Sequence, residues 1–352
     1  MIIISEKPLV SYVIGVRNME STVGKTIESI LNQDYPNKEI IVINDGSDDN
    51  TEEVLKNYPI KYITTDKIGI SNARNLGFRK STGEFIAFTD ADCELDPKWT
   101  KNILKGFIND KVGLVGGVTK FRTDGSYSSI YRSIEFTKRY KNLISNDVVW
   151  AGGPGSMFRR IVLEEVGGFD PEWNHGEDAE ISFLTIEHGY NVKKQNDALT
   201  YHLPETGFKR LVYKGLRDAK AYVRVTKSHL KTSIRNKFNT TWYLPYDMVI
   251  LPIAYLLLIF TIIFFPILFF INFLLFMSNL VNTILMIWGW IFIIILFIIL
   301  IFGIFPSYQV ASKSKKKKIR NFLATTLLHH SRGFAWGIGL ILGIKNIIFK
   351  RK

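Results

Sequence analysis

Asp90-Ala91-Asp92 places two carboxylates one residue apart, directly after the apolar run Phe85–Phe88. Acids at a strand end can share a divalent cation and a diphosphate. Mg2+ and Mn2+ accept carboxylate oxygens and keep positions open for phosphate and water. Asn44-Asp45-Gly46-Ser47 follows a second apolar run in the same way, and open α/β sheets gather ligands outside the carboxyl ends of their strands. A solitary Asp-x-Asp is usually a turn, so the motif gains meaning only in company. Glu177-Asp178 opens a helical pattern. The helix dipole alone favours acids there, but an acid so placed can also take the proton of an attacking hydroxyl. His202 ends a strand-like run and could be a metal ligand, although a lone His is more often structural. Cys93, the single cysteine, stands next to the acids. Mg2+ and Mn2+ prefer oxygen, so it reads as packing, and no disulfide framework exists.

Alternating elements must position these residues. Leu9–Val16, Glu39–Asn44, Lys61–Thr65 and Phe85–Thr89 read as strands. Ile40-Ile-Val-Ile43 is the continuous apolar run of a strand buried on both faces. Helical patterns cover about 21–32, 48–57 and 69–80. They continue over 97–109, 128–143 and 177–188, with a strand near 112–121 and another ending at 200–202. Residues 148–158, with Ala-Gly-Gly-Pro-Gly-Ser-Met-Phe at 151–158, must be tight backbone. The alternation predicts an α/β fold with a mostly parallel sheet.

The second part of the chain differs. Ten Lys or Arg and one acid, Asp218, lie between Lys209 and Lys237. Arg210, Lys214, Arg217, Lys220, Arg224, Lys227 and Lys231 recur every three or four residues. That spacing predicts a basic amphipathic helix on an anionic lipid surface rather than a merely solvated face. From Met248 to Ser312, 65 residues pass without an acid, Lys or Arg. The run excludes disorder and has room for two membrane spans of about 20 residues each, near Tyr246–Phe276 and Leu280–Phe305, joined at Met277-Ser278-Asn279. Six positive charges in Lys313–Arg320 then place the flanking segments in the cytoplasm. The tail from Asn321 reads as a second interfacial helix, with a third span as the alternative. The expected organisation is a catalytic domain at 1–208, a basic interfacial segment at 209–243, two transmembrane helices at 244–306 and a basic cytoplasmic segment with a C-terminal helix at 307–352. The protein would be a multi-pass cell-membrane protein with its catalytic domain in the cytoplasm.

In order along the chain come Val10–Asn18, Ser29–Pro36, Glu39–Ser47, Gly69–Gly77, Phe88–Asp92, Gly152–Arg160, Gly167–Asp170 and Gly176-Glu-Asp178. Together they resemble the inverting family 2 glycosyltransferases of the GT-A (nucleotide-diphospho-sugar transferase) fold, over about Leu9 to His202. The resemblance is specific for the family and silent on the sugar. It implies a nucleotide-sugar site formed by Val16, Asn18, Asp45, Asp66, Arg74, Asp90, Ala91 and Gly153. In it Asp45 meets base or ribose, and Arg74 holds Asp90 and frames the nucleotide. It implies Mn2+ or Mg2+ on Asp92, with His202 as a further ligand, and Asp178 as the catalytic base supported or rivalled by Glu177. Each has a plainer reading: Asp45 as a turn cap, Arg74 in a surface salt bridge, the acid pair as a helix start. Trp173 could stack on a sugar or pack in the core.

One departure is informative. Chain-building synthases of the family carry Gln-x-x-Arg-Trp, and no Trp here follows an Arg. The expected reaction is transfer of one sugar from a UDP- or GDP-linked donor to a hydroxyl of a lipid-linked or membrane-associated glycan. The rivals are a polyprenyl(dolichyl)-phosphate sugar synthase and a non-catalytic membrane protein with a degenerate nucleotide-binding domain. The intact acids argue against the latter. Basic patches beside apolar runs point to membrane lipids as partners and not to nucleic acid.

Overall fold

The computed structural model describes residues 7–141, 146–173, 175–235, 279–314 and 318–349, with scattered residues between 253 and 270. The chain divides into two compact units. The first comprises Met1–Thr123, Glu135–Glu205 and Val225–Tyr243; the second comprises Asp124–Ile134, Thr206–Arg224 and Leu244–Lys352.

The first unit is built on one eight-stranded sheet. Its strands are β1 (Val10–Val16), β2 (Lys38–Asp45), β3 (Lys61–Thr65), β4 (Phe85–Phe88), β5 (Cys93–Leu95), β6 (Val112–Phe121), β7 (Ser156–Arg159) and β8 (Asn191–His202). Their order is β3-β2-β1-β4-β7-β6-β8-β5. The helices with it are α1 (Val23–Leu31), α2 (Thr51–Leu55), α3 (Ile70–Lys80), α4 (Trp99–Leu104), α6 (Arg160–Val166) and α7 (Glu177–Glu187), with α5 (Tyr127–Lys141) running through both units.

Strand β1 shows why the central runs are continuously apolar. Tyr12 and Ile14 face a core shared with Val23, Ile27 and Ile30 of α1 and Trp99 of α4. Val13 points to the opposite core, with Phe88, Phe158 and Ile181. Side chains alternate across a strand, so a strand covered on both faces carries apolar residues at every position. Each fully buried Val, Ile or Phe contributes roughly 1.5–3 kcal/mol.

The expected mostly parallel sheet is corrected to a mixed one. β1 pairs in parallel with β2 and β4, β2 with β3, and β6 with β8. However, β7 runs antiparallel between β4 and β6, and β5 runs antiparallel to β8. The cause is local. Gly155, at φ +83°, turns the chain out of the glycine-rich loop, and Ser156–Arg159 enters the sheet fully buried. Its Ser-Met-Phe-Arg sequence carries no strand alternation, so only the loop was legible.

The second unit includes part of α8 (Phe208–Ser228), together with α10 (Asn279–Lys313) and α11 (Lys318–Phe349); α9 (Leu230–Arg235) belongs to the first. Within the second unit α8 and α11 approach closely at small residues. A Cβ on Gly339 would stand 2.5 Å from the Leu216 carbonyl oxygen and 2.7 Å from Ala219 Cβ. Gly343 is similarly close to Val223. Of the apolar face expected on the basic helix, Leu211 is buried, but Tyr213 is 64% exposed.

The expected transmembrane hairpin is also corrected. Among the described residues no helix is long and apolar enough to cross a membrane. Composition alone suggested spans, whereas the end of α10 turns polar with Ser307, Gln309, Ser312 and Lys313. That part is also buried in protein, with Val310 packing on Leu211 and Leu328. Most of the first expected span, and residues 277 and 278 of the expected turn, lie outside the described residues.

The fit of α3 on the sheet gives a stability test. A Cβ on Gly77 would collide with Val13 Cγ1 and press on Ile43 Cγ1 at 3.4 Å. Alanine favours a helix over glycine by about 1 kcal/mol, but overpacking a buried contact costs about 1–3 kcal/mol. The steric effect should win, and Gly77→Ala should lower Tm by several degrees in a thermal melt. A raised Tm would contradict this packing.

Candidate active site

The carboxyl ends of β2 and β4 deliver Asp45, Asp90 and Asp92. At the end of β1, Val16 is buried, and just beyond it Asn18 adopts φ 54°. Asn18 accepts a hydrogen bond from Asp48 N at 2.8 Å and donates its own N–H to Ser47 Oγ at 3.0 Å. The loops after β1 and β2 are thereby tied together. Asp45, 6% exposed, accepts from the backbone N–H groups of Ile68 (2.6 Å) and Gly69 (3.0 Å). Its carboxylate braces the entry to α3, a different bond from the turn cap weighed in the sequence. Asp66 lies exposed just after β3.

Arg74 is the centre of the arrangement. It is 3% exposed, and its fork reaches Glu177 Oε1 at 2.7 Å and Asp90 Oδ1 at 3.0 Å. The guanidinium also lies over the Phe169 ring at 5.3 Å. Burial works against its charge, but Glu177, Asp90 and Asp178 outweigh burial and hold it above its ordinary value. This is a buried ion pair rather than the surface salt bridge that was the plainer reading. The same helix is fixed to the loop before α7. Asn75 exchanges two hydrogen bonds with Phe169, and Ser71 donates to the Trp173 carbonyl. Trp173 itself is 3% exposed and packs with Val149, Ala179 and Phe183, so its role is packing.

Asp178 stands in the first turn of α7, partly accessible. Its Oδ2 accepts from Gly153 N at 2.9 Å and from Trp150 Nε1 at 3.2 Å, and its Oδ1 accepts from Ala179 N at 2.8 Å. Burial and the neighbouring Glu177 carboxylate push Asp178 above the usual carboxylate range. The Gly153 N–H, Arg74 and His175 pull the other way without cancelling this. Gly153 permits the close approach, since a Cβ there would lie 3.4 Å from Arg74 Nη2 and 3.6 Å from Asp178 Oδ2.

Asp92 and His202 meet across the β5–β8 end of the sheet. His202 Nδ1 lies 2.8 Å from the Leu203 carbonyl, which can only accept, so Nδ1 carries the proton and Nε2 keeps a lone pair. Nε2 is 3.5 Å from Asp92 Oδ2, and the ring stacks on Phe121 at 4.3 Å. Donor atoms of Asp92, Cys93 and His202 all lie within 4.8 Å of one another. A carboxylate oxygen beside a fixed imidazole lone pair fits Mn2+ or Mg2+. Cys93 is buried, and burial, Asp92 and Asp90 push its thiol well above its ordinary value. It therefore stays protonated and serves as packing. Ala91 is buried between the two acids.

Sequence reasoning missed Trp150, Phe169 and Phe121. No spacing rule links them to their partners, because each meets its acid, arginine or histidine only in the folded sheet.

Several known proteins resemble this chain. Residues 11–167 match the family model described as glycosyl transferase family 2. The chain is 31% identical over 210 residues to a poly-beta-1,6-N-acetyl-D-glucosamine synthase of Staphylococcus epidermidis, covering 56% of this chain and 50% of that protein. It is 29% identical over 230 residues to the glycosyltransferase AglE of Haloferax volcanii, covering 63% of this chain and 75% of that one. The chain thus spans about half the length of the synthase it matches. In structure it resembles the mannosyltransferase PcManGT of Pyrobaculum calidifontis, solved with GDP-Man and Mn2+. The TM-score is 0.55 at 22% identity, over 64% of this chain and 65% of that one, a likeness of fold. Residues 11–167 thus carry the match to a glycosyl transferase family 2 domain.

The metal assignment can be checked without turnover. In titration calorimetry with a nucleoside diphosphate present, Asp92→Asn and His202→Ala should each weaken Mn2+ binding by about 10-fold or more. Cys93→Ser should leave it within about twofold. Unchanged Mn2+ affinity in the first two variants would remove the site.

Proposed function

We propose that this family 2 glycosyltransferase moves a single sugar from a UDP- or GDP-linked donor to a hydroxyl of a lipid-linked or membrane-associated glycan, with inversion at the anomeric carbon. The observation that carries the reading is the split between two adjacent acids. Glu177 is spent on Arg74, whereas Asp178 is raised by burial and by Glu177 itself. An acid held by an arginine is suited to position, and one raised above its ordinary range is suited to move a proton.

The residues would act as follows. Asp45 holds the Ile68–Gly69 backbone in place under the nucleotide. Arg74 fixes Asp90 at the donor side and Glu177 at the acceptor side with one rigid fork. The acceptor hydroxyl gives its proton to Asp178 as its oxygen bonds to the anomeric carbon. The bond from that carbon to the diphosphate breaks, and the electron pair leaves with the phosphate oxygen. A divalent cation held by Asp92 and His202 would offset the negative charge gained by the departing diphosphate.

The lipid side of the reading rests on surface chemistry in the second unit. Ile287, Trp290, Ile294, Phe297 and Ile301 of α10 recur every three or four residues and are 46–63% exposed. An apolar face of that kind suits lipid contact, and the exposed Lys209 and Arg210 of α8 suit anionic headgroups. The absence of an Arg-Trp pair favours one transfer over chain building.

The test follows nucleotide release by the full chain with a panel of UDP- and GDP-sugars and lipid extract. Asp178→Asn should lower turnover by roughly 10²-fold or more, since a positioned base typically contributes 10²–10⁴. Its donor affinity should remain near normal. Glu177→Gln should cost less in turnover and should weaken donor binding through Arg74. If Asp178→Asn keeps most of its activity, the acceptor needs no base, and a phosphate acceptor becomes the better reading.

A further inference from the structure

Outside the groups given roles above, the side chain that bears most directly on the reacting atoms is Trp150, in the loop between α5 and β7. Its indole Nε1 lies 3.2 Å from Asp178 Oδ2, the oxygen that also accepts the Gly153 N–H at 2.9 Å. An ionised carboxylate offers about two lone pairs on each oxygen. Two N–H donors fill Oδ2. Among the described residues Oδ1 accepts one bond, from Ala179 N at 2.8 Å, and keeps a lone pair.

We infer that Trp150 is a positioning residue that, with Gly153, occupies Asp178 Oδ2 and leaves Oδ1 as the atom that takes the acceptor's proton. The inference rests on Asp178 being the base. Rotation of the carboxylate would exchange the two oxygens, and the indole resists it. Trp150 is itself wedged beside Val149, Trp173 and Phe183, so its N–H direction is set by packing. In the transfer, the acceptor O–H bond breaks and its proton passes to Oδ1. The acceptor oxygen bonds to the anomeric carbon, and the diphosphate leaves with the pair of its former bond.

The titratable groups facing Asp178 are Glu177 from α7, His175 from the turn before it, and Arg74 from α3 with Asp90 beyond it. Among the described residues the loop before β7 adds two neutral donors, Trp150 and Gly153. A hydrogen bond to the charged carboxylate favours the charged form. Removing the indole N–H should therefore raise the pKa of Asp178 further, so the acid limb of activity should move to higher pH. The displacement should be about 0.4–1 pH unit.

The experiment compares pH profiles of kcat and donor affinity for the wild-type full chain, Trp150→Phe and Asp178→Asn. A fourth protein carries 3-benzothienylalanine at position 150, which keeps the two-ring shape and replaces N–H by sulfur. Trp150→Phe and the sulfur analogue should both bind donor within about twofold of wild type. Both should lose several-fold in kcat and show the acid limb displaced upward. If Trp150→Phe fails to fold, the sulfur analogue decides. An unchanged limb and kcat, beside an inactive Asp178→Asn, would overturn the role of Trp150 and leave the base standing. Full activity of Asp178→Asn would instead overturn the base, and the inference with it.

Discussion

The site depends on one buried cation. Arg74 sits under the sheet end with its fork divided between Asp90 and Glu177 and its face on Phe169. Taking a guanidinium out of water costs several kcal/mol, which only well-placed partners offset. The two carboxylates and the aromatic face are those partners, and they come from three places: the loop after β4, the start of α7 and the loop before it. A residue on α3 thereby fixes the distance between the donor-side acids and the acceptor-side pair. Removing Glu177 would leave the buried guanidinium with Asp90 alone in its fork.

The same contact explains why two neighbouring acids differ. Glu177 is held by Arg74 at 2.7 Å. Asp178 is buried and faces the charge of Glu177, so its carboxyl rises above the ordinary range although the Gly153 N–H pulls it down. The fold thus produces, from adjacent positions of one helix turn, an acid held by an arginine and an acid raised above its ordinary range. Gly153 supplies one donor because its backbone can approach both Arg74 and Asp178. The metal side follows different physics. There the Leu203 carbonyl accepts from His202 Nδ1, and Nε2 lies 3.5 Å from Asp92 Oδ2.

How much of this the sequence discloses varies with the range of the interaction. The β1 to β4 half is legible because apolar runs end in Asp, Asn and Gly, and because helical patterns fall between them. β5 is three residues and β7 four, both too short to carry a period, and they are the strands that make the sheet mixed. The acids at 45, 90, 92 and 178 were identifiable by type and place. Their bonds were not, because Asp45 meets Ile68 and Gly69 across a neighbouring strand, and Trp150 meets Asp178 over 28 residues. The uncharged run from Met248 to Ser312 shows the limit of composition. It reads as two spans, yet among the described residues no helix is long and apolar enough to cross a membrane.

The account's central claim is that a forked guanidinium couples the two halves of the site, and Arg74→Lys tests it most directly. Lysine keeps the charge but cannot hold two carboxylates in a fixed fork. Steady-state kinetics of the folded variant should show a raised donor KM together with a lower kcat, because Asp90 and Glu177 lose their common anchor. Wild-type values of both would show that the charge alone suffices and would contradict the coupling.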